Sequence, residues 1–186
     1  MSRLILPRDI AHEVTRVLTH ATVEKRDERY DEARRLYLGR GLTAYEAERR
    51  AAFEIVPFEV IEGDYNAMVD AGINLALALL IGGGGTAFNA ANAYLGVGSS
   101  TTAWATGQTA LQTQLARVGM KATYPTTGTK QVSFASDFSG ATGDGAWQEW
   151  GVFNAAAAGT MLNRKVESLG TKSGGTWTLT ATFSFA

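Results

Sequence analysis

Thr176-Trp-Thr-Leu-Thr-Ala-Thr-Phe-Ser-Phe-Ala186 alternates without interruption. Trp177, Leu179, Ala181, Phe183 and Phe185 share one face of an extended chain, and Thr178, Thr180, Thr182 and Ser184 share the other. A period of two in β-branched and aromatic residues predicts a strand whose aromatic face lies in a core. Burying its three aromatics and one leucine contributes on the order of 6–10 kcal/mol gross, at about 1.5–3 kcal/mol per large side chain before entropy is subtracted. Trp177, Leu179, Phe183 and Phe185 are therefore expected in the interior. Shorter segments of the same kind, separated by turn residues, occur at 92–97, 131–136, 146–153 and 160–167. That spacing indicates a sandwich or small barrel, and it adds Trp147 and Phe153 to the expected core.

The first part of the chain has different chemistry. Residues 1–70 carry 11 Lys/Arg and 14 Asp/Glu, leaving 6 and 4 for the remainder. Val14, Val17, Leu18 and Ala21 recur at i, i+3, i+4 and i+7, one narrow apolar stripe on a helix otherwise covered by charge. Such a stripe is read as a partner interface. Gly39 and Gly41 break the helix, and Thr43 with Glu46 forms a capping box that starts a second one through Ala47, Ala51 and Ile55. Pro57 ends it. Phe58 to Ile61 reads as a short strand, and residues 66–81 read as a helix with Leu and Ala on more than one face, hence the most enclosed helix. The predicted class is α+β. A charged helical arm, 1–57, precedes a mainly antiparallel β-sandwich or small barrel, 58–186, with one packed helix.

Composition excludes several functions. Without cysteine there is neither a disulfide framework nor a thiolate metal site. Only three consecutive apolar residues, Leu4 to Leu6, precede Pro7, far short of a signal-peptide core, so synthesis in a cytoplasm is expected. The apolar run from Ala71 to Ile81 is too short for a bilayer, and no membrane partner is expected. A net charge of -1 argues against nucleic acid. Gly82 to Gly85 lacks the Lys-Ser/Thr of a phosphate loop. His12 and His20 stand eight apart, out of phase for chelation, and no Gly-x-Ser-x-Gly elbow exists. Asp137 and Asp144 flank a turn-rich stretch that uses short polar side chains locally. Among the tryptophans, Trp104, Trp147, Trp150 and Trp177, three lie in predicted strands, which favours packing over a carbohydrate platform. The expectation is a non-enzyme with no cofactor and no bound metal. A symmetric hairpin of 146–153 with 160–167 around 154–159 sets Glu149 opposite Arg164, a structural ion pair.

Four phrases carry a family likeness: Val69-Asp-Ala-Gly-Ile-Asn-Leu75, Thr86-Ala-Phe-Asn-Ala-Ala-Asn-Ala-Tyr-Leu-Gly-Val-Gly98, Glu149-Trp-Gly-Val-Phe-Asn154 and Met161-Leu-Asn-Arg-Lys-Val-Glu-Ser-Leu-Gly-Thr-Lys172. With them the stretch from about Val69 to Ala186 resembles a family of small structural proteins of tailed bacteriophages. A looser likeness, in the Glu-x-Gly-x-Phe hairpin, points to collar and fibre proteins of phage tails. The resemblance implies a virion protein that binds the major capsid protein or other virion proteins, and it brings no catalytic residues. Capsid decoration or cementing is the favoured role, because a compact β domain with a polar arm suits a protein lying across lattice joints. No internal repeat of a fibre-shaft kind is present. Tail, fibre or head–tail joining, with a carbohydrate-binding role in host recognition, is the alternative. A homo-oligomer, by analogy a trimer, is implied by the same resemblance.

Overall fold

The alternating segment at the end of the chain is the middle strand of a sheet. The computed structural model describes residues 17–64 and 67–185. In chain order its elements are β1 (Val17–Arg26), α1 (Glu28–Gly39), α2 (Ala44–Glu54), β2 (Glu59–Asp64), β3 (Ala67–Met68), α3 (Asp70–Leu80), β4 (Tyr94–Gly98), β5 (Gln114–Gly119), β6 (Thr126–Gly128), β7 (Gln131–Phe138), β8 (Gly145–Phe153), β9 (Asn163–Lys172) and β10 (Thr176–Phe185). The strands form two antiparallel five-stranded sheets, ordered β2-β1-β10-β7-β6 and β3-β9-β8-β4-β5. The fold is an α+β sandwich.

Facing strands of both sheets supply the core. Ala21 and Val23 of β1, Phe134 and Phe138 of β7, and Leu179, Ala181 and Phe183 of β10 meet Leu95, Val97, Trp147, Trp150, Val152 and Leu169 from the opposite sheet. The aromatic rings interlock edge to face: Phe138 lies 4.9 Å from Trp147, and Trp147 lies 5.0 Å from Trp177. That geometry suits ring quadrupoles better than a face-to-face stack. Trp147, Phe153, Trp177, Leu179 and Phe183 are buried, but Phe185 is 49 % exposed. It sits at the end of β10, one pleat beyond Phe183, and is not a core residue.

The helical stripe is not formed. Val17, Leu18 and Ala21 belong to β1, and Val14 lies outside the described residues. The same stretch carries Val17, Thr19, Ala21 and Val23 at a period of two, and it pairs along its whole length with β10, from Val17 with Phe185 to Arg26 with Thr176. Ten paired residues outweigh a weak helical pattern. On its other side β1 pairs with β2, His20 with Asp64 through Lys25 with Glu59. A boundary at 57/58 would cut through this sheet, so residues 17–26 belong to the β domain.

Between β1 and β2 the chain makes a helical hairpin. Asp27 caps α1 by accepting from Arg29 N, and Thr43 with Glu46 forms the capping box of α2. The chain turns between them at Arg40–Thr43, as the glycines at 39 and 41 predict. Tyr30 of α1 and Ala47 and Ala51 of α2 are buried. The hairpin is tied to the sandwich where Lys121 bonds Glu48 of α2 and approaches Asp137 of β7 at 3.5 Å. Burial opposes the charge on Lys121, but Asp137 and Glu48 together outweigh it and hold the ammonium above the ordinary lysine range.

Helix α3 departs most from expectation. Only Gly72 in it is buried. A Cβ there would collide with the backbone of Leu162, so glycine permits the helix to touch the sandwich at that point. The rest of α3 is not enclosed: Leu80 and the following Ile81 are 80 % and 83 % exposed.

Candidate functional site

Hydrogen-bonding geometry accounts for the acidic residues first. Glu149 on β8 lies opposite Val166, not Arg164, a shift of two residues from the symmetric register. The shift is an even number of residues, so both side chains stay on the same face and meet diagonally. Arg164 Nε donates to Glu149 Oε2 at 2.6 Å, and both side chains are fully buried. Gly98 makes room for the carboxylate, since a Cβ there would strike Glu149 Oε1.

The pair also clasps the loop at 99–113. Glu149 accepts from Thr113 N at 2.7 Å and from Gln112 N at 3.0 Å. Arg164 donates to the Thr102 carbonyl at 2.9 Å, to Gln108 Oε1 at 3.0 Å and to the Ala103 carbonyl at 3.4 Å. The carboxylate and guanidinium are thus spent on each other and on holding the loop. Sequence reasoning found the two residues but missed the loop, which has no periodicity to announce it.

The other carboxylates are engaged in the same way. Asp137 accepts from Thr178 Oγ1 at 2.7 Å. Asp144 accepts from Lys172 Nζ at 2.9 Å and from Gly174 N at 3.1 Å. The Lys172 hydrogen bond holds the Asp144 carboxyl below its ordinary range, helped by the Gly174 amide. Among the described residues no group of three or more His, Asp or Glu is arranged to hold a metal ion. His20 lies on β1, 3.2 Å from Thr22 Oγ1, and His12 falls outside the described residues.

Three tryptophans are structural in position. Trp147 Nε1 donates to the Gly143 carbonyl at 2.7 Å, Trp150 Nε1 donates to Glu167 Oε1 at 2.7 Å, and Lys25 Nζ sits 4.3 Å from the Trp177 ring. Trp104, in the clasped loop, is 36 % exposed. Among the described residues no helix is long and apolar enough to cross a membrane.

What stands out on the surface is apolar. At the junction of α2 and β2, Phe53 is 85 % exposed, and Val56, Phe58 and Val60 are exposed with it. Pro57 lies among them, and β2 is an edge strand. The second exposed apolar surface is α3. Monomeric proteins rarely leave large contiguous apolar surface to water, and such patches mark contact sites. Comparison with family models, curated proteins and solved structures finds no match.

Proposed function

We propose that this chain is a structural protein of a tailed-phage particle, made in the host cytoplasm, that acts by protein–protein contact. Its specific role in this reading is capsid decoration or cementing, with the major capsid protein as partner. The reading assigns it no catalytic step, cofactor or nucleic-acid ligand. One observation carries it: Phe53, Val56, Phe58 and Val60 expose four large apolar side chains within eight residues, beside a charged helical hairpin. An apolar centre rimmed by charge is the anatomy of a docking surface. The resemblance of four phrases of the chain to small phage structural proteins suggests the particle as its setting.

Two measurements test this. Hundreds of copies per purified particle are expected for a decoration protein, whereas a handful would move it to the tail or the head–tail joint. Phe53→Asp and Phe58→Asp alter exposed positions, so they are expected to leave unfolding cooperative while weakening re-addition to particles lacking the protein by more than about tenfold, the scale of an interface anchor. Unchanged re-addition by both variants refutes the docking surface. The carbohydrate alternative rests on Trp104 alone, because the other three tryptophans are buried.

A further inference from the structure

The helical hairpin, residues 28–54, carries six arginines and six carboxylates, but the two sets are not equally occupied. Asp31 accepts from the Thr176 hydroxyl, Glu46 accepts from Thr43 N at 2.9 Å in the capping box, Glu48 bonds Lys121, and Glu54 accepts from the Tyr37 hydroxyl. Glu28 and Glu32 line one crevice with Arg34 and Arg35, and Arg29 is held by Asp27 at 2.7 Å. Arg40, Arg49 and Arg50 remain. All three are exposed, and among the described residues no carboxylate lies at ion-pair distance from any of them.

Their surroundings are aromatic. Arg49 lies over Tyr45 and Arg40 over Tyr37, each 5.7 Å from the ring centre. The hydrogen bond to Glu54 raises the Tyr37 hydroxyl pKa, and Arg50 and Arg40 both oppose the rise, so the two guanidinium groups act on one hydroxyl. Around α2, at 100° per residue, Ala47 and Ala51 point inward and are buried. Tyr45, Arg49 and Phe53 stand at i, i+4 and i+8 in one line along the opposite side, with Glu46 and Arg50 beside them. Tyr45 and Phe53 are exposed. Aromatic residues and arginine are the types in which interfaces are enriched. A guanidinium is weakly hydrated, and its fork fits a carboxylate through two parallel hydrogen bonds.

We propose that the outer face of α2 seats an acidic segment of the partner protein, with carboxylates on Arg40, Arg49 and Arg50 and apolar side chains on Tyr45 and Phe53. Phe53 is shared with the docking surface proposed above, so the assignment rests on that reading and adds the chemistry of the partner. Charge complementarity selects the occupant: three cations without carboxylates of their own repel a basic segment and attract an acidic one. Nucleic acid would satisfy the arginines but set Glu46 against its phosphates and leave Phe53, Val56 and Phe58 without apolar cover. A lipid surface calls for cationic and apolar residues on separate faces of a helix, whereas on α2 they alternate along one line.

The test uses the full-length protein and particles lacking it. Arg40→Gln, Arg49→Gln and Arg50→Gln combined alter exposed positions only, so far-UV circular dichroism should stay unchanged. Re-addition at low salt should weaken at least about tenfold, chiefly through slower association. Raising salt from about 0.05 to about 0.5 M should weaken wild-type re-addition by a similar factor, and that of the triple glutamine variant by less than about twofold. The corresponding triple Arg→Lys variant keeps the charge and should keep the salt dependence. Arg35→Gln, beside Glu28 and Glu32, should bind as wild type does. Treating the particle-bound lysine variant with a water-soluble carbodiimide should join it to partner carboxylates through positions 49 or 50, mapped by peptide mass spectrometry. The two readings fail differently. Wild-type re-addition by both Phe53→Asp and Phe58→Asp removes the docking surface itself. Weakened re-addition by those variants, with no effect of the triple glutamine variant or of salt, leaves the docking surface standing and overturns the acidic partner. Retention of the wild type on duplex DNA or phosphatidylserine vesicles, lost in the triple glutamine variant while particles take up both proteins equally, overturns it as well.

Discussion

Replacing Glu149 with Gln isolates what the buried clasp contributes. The amide keeps the side chain's shape and one acceptor oxygen, so it can still receive Thr113 N or Gln112 N, now 2.7 Å and 3.0 Å from the carboxylate. What it removes is the negative charge 2.6 Å from Arg164 Nε, inside a fully buried site. Breaking a buried pair on one side costs about 3–5 kcal/mol, because the remaining charge is uncompensated. Arg164 retains the Thr102 carbonyl at 2.9 Å and Gln108 Oε1 at 3.0 Å, which places the expected loss near the lower end, about 3 kcal/mol. For a chain of 186 residues that is a drop in Tm of roughly 6–12 °C, at about 2–4 °C per kcal/mol. Urea unfolding gives the free energy, and hydrogen exchange at Gln112 and Thr113 reads the loop directly. Adding Arg164→Met should restore part of the loss, since it removes the orphaned cation. A loss below about 1 kcal/mol, the value for an exposed cross-strand pair, with exchange unchanged, would refute the clasp.

Other perturbations test the frame around it. Phe183→Ala should cost about 3–5 kcal/mol in denaturant unfolding, as for emptying a buried aromatic site, while Phe185→Ala, half exposed, should cost less than about 1.5 kcal/mol. A fragment 58–186 lacks β1, which leaves β2 without a partner and opens the edge of β10 opposite β7, so it should show no cooperative transition; a sharp melt near that of the full chain would refute β1 as a sheet member. Because the folded Lys121 pKa is raised, its contribution is complete below the ordinary lysine pKa and is lost as pH climbs through the higher folded value. Stability should therefore fall at strongly alkaline pH, and Lys121→Met should flatten that decline; an identical alkaline limb in the variant would refute the tie.

Legibility in the sequence followed the strength of local signals. β10 was readable because five large or apolar residues alternate with hydroxyls over ten positions, a pattern no helix supports. The α1–α2 turn was readable from its glycines and the Thr43–Glu46 box. β1 was not, because Val17 and Ala21 satisfy both a helical and an extended period, and the decision came from partners distant in the chain. Helix α3 reads as buried since Leu and Ala occur on several faces; composition states that such a face needs a cover but not which molecule supplies it. For the Glu149–Arg164 pair, residue identities followed from hairpin symmetry. The register shift after Trp147 and the loop held by the pair had no sequence signature.

The pairing of β1 with β10 also governs how the chain reaches this fold. The hydrogen bond from Thr176 Oγ1 to Asp31 closes a loop across 145 positions, and the adjacent sheet strands are as far apart in order of synthesis. Loop-closure entropy is met before such a contact rewards it, so folding is expected to be slow for the chain's size. On the ribosome, β1 and β2 emerge long before the strand that joins them to the rest of the sheet. Until β10 arrives, their open edges are available to neighbouring nascent chains, and a helper that masks edge strands would raise the yield of native protein.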